Sequence, residues 1–261
     1  IAFMLTLGLA LPAEAATLLV DTNVPDVNPD GLCSLIEAID NANADTQVHG
    51  DCPAGSGADV IQLQSFSVHN ITASLSGLPA QGLPTISSEM SIEGNEATLN
   101  VAEDVAVDRV IAVAASGDLT LSDATISGDA GSGTASNAPR LHNTGKIQLN
   151  NVDILLNPDR VSGITNAVIG TLGADGLEVN CPDCEPYSFP NYTGHGILNH
   201  GNMTLANSRV SNLRFSYPSY YTNNDDAGAV YNTGTLSLDN VRVEQNTSKY
   251  NVNSGIHNLG I

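Results

Sequence analysis

The residues best placed to do chemistry lie in one short run. Asp26-x-Asn28-x-Asp30-Gly31-x5-Glu37 satisfies the twelve-residue spacing of a calcium-binding loop. Asp26, Asn28, Asp30 and Glu37 would supply hard oxygen ligands, so calcium is the one cofactor the sequence points to. The same residues also read as a turn feeding a capped helix. Pro29 biases Asn28 away from helical angles, and Pro25 with an upstream strand stands where such loops have an entering helix. Both readings are open on sequence alone.

A second group is aromatic. Seven of the 11 aromatic residues fall in two stretches: Tyr187, Phe189 and Tyr192, then Phe215, Tyr217, Tyr220 and Tyr221. With Asn223, Asn224, Asp225 and Asp226 beside them, they offer stacking faces and polar edges, which suit glycan or protein contact. Packing of the two stretches on themselves is the competing expectation.

Catalysis finds little support. The bases Lys146, Arg160, Arg209, Arg214, Arg242 and Lys249 are too few for a polyanion groove. Asp225-Asp226 is an adjacent acid pair of the kind that is usually solvated. His142, His195, His200 and His257 share the period of an internal repeat, which favours stacking or surface placement, and none lies in a nucleophile motif. Cys181-Pro182-Asp183-Cys184 is a lone C-x-x-C without a second pair, so a local disulfide is expected rather than zinc. Cys33 and Cys52 would close a loop of about 20 residues, worth roughly 3 kcal/mol in the chain-entropy account.

The elements that must carry these residues emerge from composition and repetition. Acids outnumber bases 28 to 8 and the formal net charge is −20. That excludes a nucleic-acid backbone as partner and disfavours anionic lipid, while permitting cations, basic partners and neutral glycans. Abundant Gly, Asn, Ser and Thr indicate a turn-rich β protein. Residues 1–16 differ: an apolar run to Pro12 and then Ala13-Glu14-Ala15-Ala16 read as a secretory signal that lacks its positive leading region. The chain is therefore expected to start inside a longer one, and no later stretch is long and apolar enough to span a bilayer.

The repeat is the main signal. Gly163-Ile164-Thr165-Asn166, Gly196-Ile197-Leu198-Asn199, Ala229-Val230-Tyr231-Asn232 and Gly255-Ile256-His257-Asn258 share a pattern, with a fainter copy at Arg140-Leu141-His142-Asn143. The asparagines are 23, 33, 33 and 26 residues apart. Alternating stretches accompany them, at 119–126, 147–154, 203–210 and 236–243, each preceded by Gly117, Gly145, Gly201 or Gly234, which suits a tight turn. The alternation is strand periodicity, and the Asn or Asp within each stretch (Asp123, Asn151, Asn207, Asn240) suits left-handed backbone. A coil whose turns stack at the strand spacing of about 4.8 Å accounts for all of this. Asn143, Asn166, Asn199, Asn232 and Asn258 would then form an amide ladder along its axis. Leucine-rich repeats would need helical runs between strands, and a propeller would need more strands per repeat than these intervals hold.

The amino-terminal part is expected to cap this coil. Residues 17–24 read as a strand, 26–31 as a turn, and Ser34 with Glu37 forms a capping box for a helix whose Leu35, Ala38, Ile39 and Ala42 share one face. Such a helix laid across the end of the stack would block edge-to-edge association.

At these residues a family resemblance becomes specific. Gly31-Leu32-Cys33-Ser34-Leu35-Ile36-Glu37-Ala38-Ile39, then Ala42-Asn43, resembles the Cys-Ser-Leu-Arg-Glu-Ala (CSLREA) segment of exported bacterial β-helix proteins, with Ile36 where that family usually has Arg. Asp51-Cys52, Gly57-Ala58-Asp59-Val60-Ile61, Leu83-Pro84-Thr85-Ile86, Ile92-Glu93-Gly94 and Arg109-Val110-Ile111-Ala112-Val113 are similar to the family's chain beyond that segment, and 231–238 to its later rungs. The resemblance spans about 17–261. It implies an all-β, right-handed, single-stranded parallel β-helix of the pectin-lyase-like kind, with a short capping helix. It also implies export to the medium or the bacterial cell surface, with an anchor further on. The expected organisation is a signal at 1–16, a strand, turn and capping helix at 17–60, and rungs at 61–261, with no membrane span among them. The expected role is a non-catalytic scaffold for adhesion or for binding a glycan or protein. A polysaccharide lyase or glycoside hydrolase on the same fold is the alternative.

Overall fold

The computed structural model describes residues 14–75, 80–102, 105–128, 139–157, 162–182, 184, 195–216, 228–249 and 254–261, with the backbone alone at Ser216 and Lys249. It is a parallel β-solenoid. Strands Thr17–Leu19, Asp59–Gln62, Glu89–Val101, Asp118–Gly128, Lys146–Leu155, Thr171–Asp175, Asn202–Ala206 and Thr235–Asp239 lie side by side in chain order, each parallel to the next. A second sheet stacks Ile111–Val113, Leu141–Asn143, Ile164–Asn166, His195–Asn199, Gly228–Asn232 and Ile256–Asn258 in the same sense. A smaller pair, Arg214–Ser216 with Thr247–Lys249, completes the upper coils. The only helix among the described residues is Leu35–Ala44.

Alternation of side chains makes the stack. Ile92, Leu121, Leu149, Ala174 and Leu205 meet in register on the inward face and are buried, while Ser91, Thr120, Gln148, Gly173 and Thr204 meet on the outward face. A one-residue slip would exchange these rows, so hydrophobic burial sets the register.

The asparagine ladder runs beside this core. Asn143 Nδ2 donates to Asn166 Oδ1 at 2.8 Å, Asn166 to Asn199 at 2.7 Å, Asn199 to Asn232 at 2.6 Å and Asn232 to Asn258 at 2.6 Å. The first four asparagines are fully buried. Each amide also serves the main chain. Asn199 Nδ2 reaches the Thr235 carbonyl at 2.9 Å and the Gly201 carbonyl at 3.2 Å, so the turn beyond it has its polar atoms satisfied inside the protein.

Two details differ from the sequence-based expectation. Residues 17–24 do not all extend: the strand is Thr17–Leu19, because the Asp21 amide turns to donate to the Cys33 carbonyl. The glycines before the strands serve a different need from a special turn angle. None of Gly117, Gly145, Gly201 and Gly234 has a left-handed φ. A Cβ on Gly145, Gly201 or Gly234 would instead collide with the carbonyl of the glycine one coil below, at Gly117, Gly170 or Gly201. The glycines form a column of close backbone approach. The left-handed corners belong to Asp123, Asn151, Asn207 and Asn240, with φ of 51°, 51°, 47° and 53°, as the alternating stretches indicate.

The helix covers the first coil. Ser34 Oγ accepts from the Glu37 amide at 3.3 Å and the Ser34 amide donates to Glu37 Oε2 at 3.0 Å, which is the capping box read from the sequence. Burial goes beyond the one apolar face: Ile36, Glu37 and Asn41 are buried too. The segment after the helix explains this. Asn41 Oδ1 accepts from the Val48 and His49 amides and its Nδ2 donates to the His49, Cys52 and Pro53 carbonyls. Ile36 is buried as part of the hydrophobic core.

The ladder makes an energetic prediction. Asn199→Leu removes the donor for Asn232 Oδ1 and the acceptor of Asn166 Nδ2, and should cost about 2–4 kcal/mol in urea unfolding. Asn240→Gly, on the exposed ladder in which Asn240 Nδ2 donates to Asn207 at 2.8 Å, keeps its left-handed corner and should stay within about 0.5 kcal/mol of the parent. Equal losses from the two changes would refute the primacy of the buried ladder.

Candidate functional site

The calcium-type loop closes on itself. Glu37 is buried with one carboxylate oxygen on the Ser34 amide. Asp30 Oδ1 accepts from the Leu32 amide at 2.9 Å, and the Asp26 carbonyl takes the Ser34 hydroxyl. Among the described residues no three His, Cys, Asp or Glu side chains gather closely enough to hold a metal, so Asp26, Asp30 and Glu37 do not converge. In this conformation Glu37 acts as a helix cap.

Of the aromatic residues, Tyr187, Phe189, Tyr192, Tyr217, Tyr220 and Tyr221 lie outside the described residues. Phe215 does not join an exposed patch. It sits on Arg214–Ser216 with its ring fully buried, because the strand pairing with Thr247–Lys249 turns it inward. The anchors of the two aromatic segments are described and are neighbours. The first segment leaves after Cys184, whose carbonyl accepts from Arg214 Nε, and Arg214 opens the strand from which the second leaves. The two chains re-enter side by side as well, His195 being paired with Gly228. Cys181 and Cys184 form a disulfide at the exit of the first segment, and Cys33 and Cys52 form the other.

The histidines stack or bond locally. His195 and His257 each lie 5.1 Å from the Tyr231 ring, and His200 Nδ1 shares a hydrogen bond of 2.6 Å with Thr233 Oγ1. Among the described bases Lys146, Arg209 and Arg214 are engaged. Lys146 Nζ is 2.6 Å from Asp118, and Arg209 lies between Glu178 at 3.8 Å and Glu244 at 3.0 Å.

One concave feature has no signal in the sequence. An open groove of about 370 Å³ runs along the left-handed corners and is lined by Glu96, Asp123, Ala124, Thr125, Asn151 and Asp153. Its carboxylates come from three separate coils and meet only through parallel register, which pairs Thr125 with Asp153 and Asp153 with Glu178. Burial, and then the neighbouring Glu178 carboxylate, hold the Asp153 carboxyl above its ordinary range. Such a groove offers hydrogen-bond acceptors to an amine or to sugar hydroxyls.

Comparison with known protein families, with curated proteins and with solved structures finds no match.

The cap makes one prediction. Glu37→Ala should lower stability by about 1 kcal/mol and Glu37→Gln by much less, with thermal midpoints equal in millimolar calcium and in chelator. A calcium-dependent rise in the wild type that Glu37→Gln abolishes would show the loop opening to bind metal.

Titration makes another. His142 is pushed down to about 4 by burial and by Arg109, and burial alone lowers His69, which is 1% exposed and shares a hydrogen bond of 2.9 Å with Ser67. Both are neutral in the fold, whereas the unfolded chain binds protons below about 6.5. The contribution of these two histidines should be constant above that pH and be lost as pH drops from there toward 4, against an opposite contribution from Asp153. His142→Gln should make the fall shallower in thermal unfolding scans; an unchanged slope would rule out His142 as a source.

Proposed function

We infer that this chain is a secreted or cell-surface scaffold, non-catalytic, that binds a glycan or protein ligand through segments carried on a rigid β-solenoid. One observation carries the reading. The segments 185–194 and 217–227, which hold six of the aromatic residues, leave and re-enter the coil at neighbouring positions: Cys184 beside Arg214, and His195 paired with Gly228. Their ends therefore belong to one side of the molecule, and the Cys181–Cys184 disulfide holds the first exit. Two segments rich in Tyr and anchored side by side have the composition of a recognition surface.

Export has independent support. Both disulfides suit an oxidising compartment. Kinship with the CSLREA-type exported β-helix proteins is part of the same proposal. It draws on the capped helix, on the Cys33–Cys52 link and on the stacked rungs.

The test is a glycan array probed with the whole chain beside a reducing-sugar assay on pectin, alginate and related polymers. The reading expects saturable binding that Tyr220→Ala/Tyr221→Ala removes, and no turnover. Binding that survives the double change would discard the aromatic segments as the site. Turnover abolished by Asp153→Asn would replace the scaffold with a hydrolase working in the acidic groove.

A further inference from the structure

The loop between the first strand and the capping helix has features that neither the core nor the cap uses. Its neck is closed twice: the Asp21 amide donates to the Cys33 carbonyl at 3.0 Å, and the Cys33 amide to Asp21 Oδ1 at 2.6 Å. The Cys33–Cys52 disulfide ties that neck to the segment beyond the helix. Inside the loop the Asp26 amide donates to the Val24 carbonyl at 3.0 Å and the Asp30 amide to the Asn28 carbonyl at 2.8 Å. Asp30 Oδ1 takes the Leu32 amide, and the Asp26 carbonyl takes the Ser34 hydroxyl. Pro25 and Pro29 fix two further φ angles. A surface loop with a closed neck and its own internal bonds is an Ω-loop, and its shape is set before any partner arrives.

Among its exposed polar residues this loop displays three aliphatic side chains. Val24, Val27 and Leu32 are 55%, 53% and 44% exposed, while Val20 and Cys33 at the neck are buried. Three aliphatic side chains left about half exposed by a pinned backbone keep apolar area in water that a partner could cover. Their electrostatic setting is one-sided. Residues 1–108 contain 15 Asp and Glu and no Lys or Arg, and all eight bases lie from Arg109 onward. Asp26 and Asp30 stand within the loop itself, both exposed.

We propose that the loop bearing Val24, Val27 and Leu32 is a protein-docking element whose partner presents an apolar pocket rimmed by Lys or Arg. The aliphatic side chains are the anchors, and the acidic surroundings select and steer a cationic rim. Pre-organisation lowers the ordering cost of association. This surface is separate from the aromatic segments, which are carried several coils away, so it stands or falls independently of the scaffold's glycan reading.

The test pans a random peptide library on phage against the immobilised whole chain, then titrates the selected peptides calorimetrically. The proposal expects peptides with an aliphatic or aromatic cluster flanked by Lys or Arg. Val24→Ser/Val27→Ser should weaken them about tenfold or more. Asp26→Asn/Asp30→Asn should weaken them less and flatten their salt dependence. Because these four side chains are exposed, thermal unfolding of both variants should match the wild type and so report a folded chain. Tyr220→Ala/Tyr221→Ala should leave peptide binding intact. Peptides without the basic flanks, no selected peptide at all, or affinity unchanged by Val24→Ser/Val27→Ser would each overturn the proposal.

Discussion

A side-chain amide buried in a protein interior must find a partner for both of its N–H groups and for its oxygen, and the solenoid is built around one way of meeting that demand. Asn166 has a like residue above and below it, so each amide accepts from one neighbour and donates to the other. The solution works only if successive turns hold the same register and the same spacing. An ionised Asp in the row could accept but not donate, and a row of them would place buried like charges at the strand spacing of about 4.8 Å. A Ser would be too short to span it. The ladder therefore does more than add hydrogen bonds. It penalises every register except the one that also aligns the inward Leu and Ile rows.

The glycine column arises from the same constraint. Where Asn199 donates to the Gly201 carbonyl, the turn is drawn in until Gly201 lies against the backbone of Gly170 one coil below. Any Cβ there would force the coils apart and lengthen the amide contacts beside it. The sequence shows these glycines clearly, yet their usual meaning, freedom of φ, is misleading here. The positive φ angles sit at Asp123, Asn151, Asn207 and Asn240, where a short polar side chain tolerates the left-handed region and bonds to the coil next to it.

How much is legible in the sequence depends on whether a feature repeats. The ladder, the alternating strands and the left-handed corners recur every few tens of residues, so comparing the chain with itself reveals them. The capping box is legible because it is local, with Ser34 and Glu37 three residues apart. The acidic groove is not. Glu96, Asp123 and Asp153 look like three scattered acids until the register between coils is known, and the extra corner residues at Asn95 and Glu96 shift that register locally. Phe215 misleads for a related reason. It lies beside a Tyr-rich segment, but its own side chain is buried in the core. Spacing alone places the calcium-type donors at the right intervals but does not show that the helix cap takes Glu37 and the turn takes Asp30 in this conformation.

A solenoid of this kind separates the residues that hold it together from those that others could recognise. Inward rows, amides and glycines are constrained by the coil above and the coil below. Outward rows and the segments between strands answer only to water and to ligands. Charge makes the division visible. The described bases with close carboxylates, Lys146 with Asp118 and Arg209 with Glu178 and Glu244, lie in the second half of the chain. Residues 1–108 have no base to offset their acids. Repulsion there is tolerated because the cap is fastened by covalent and hydrogen-bonded links, Cys33–Cys52 and the Asn41 network, whose strength does not depend on charge balance. A chain that needed only to fold would neutralise such a pole cheaply with a few lysines. Leaving it uniformly negative costs stability through self-repulsion, and what it maintains is a field that reaches into solvent ahead of the surface.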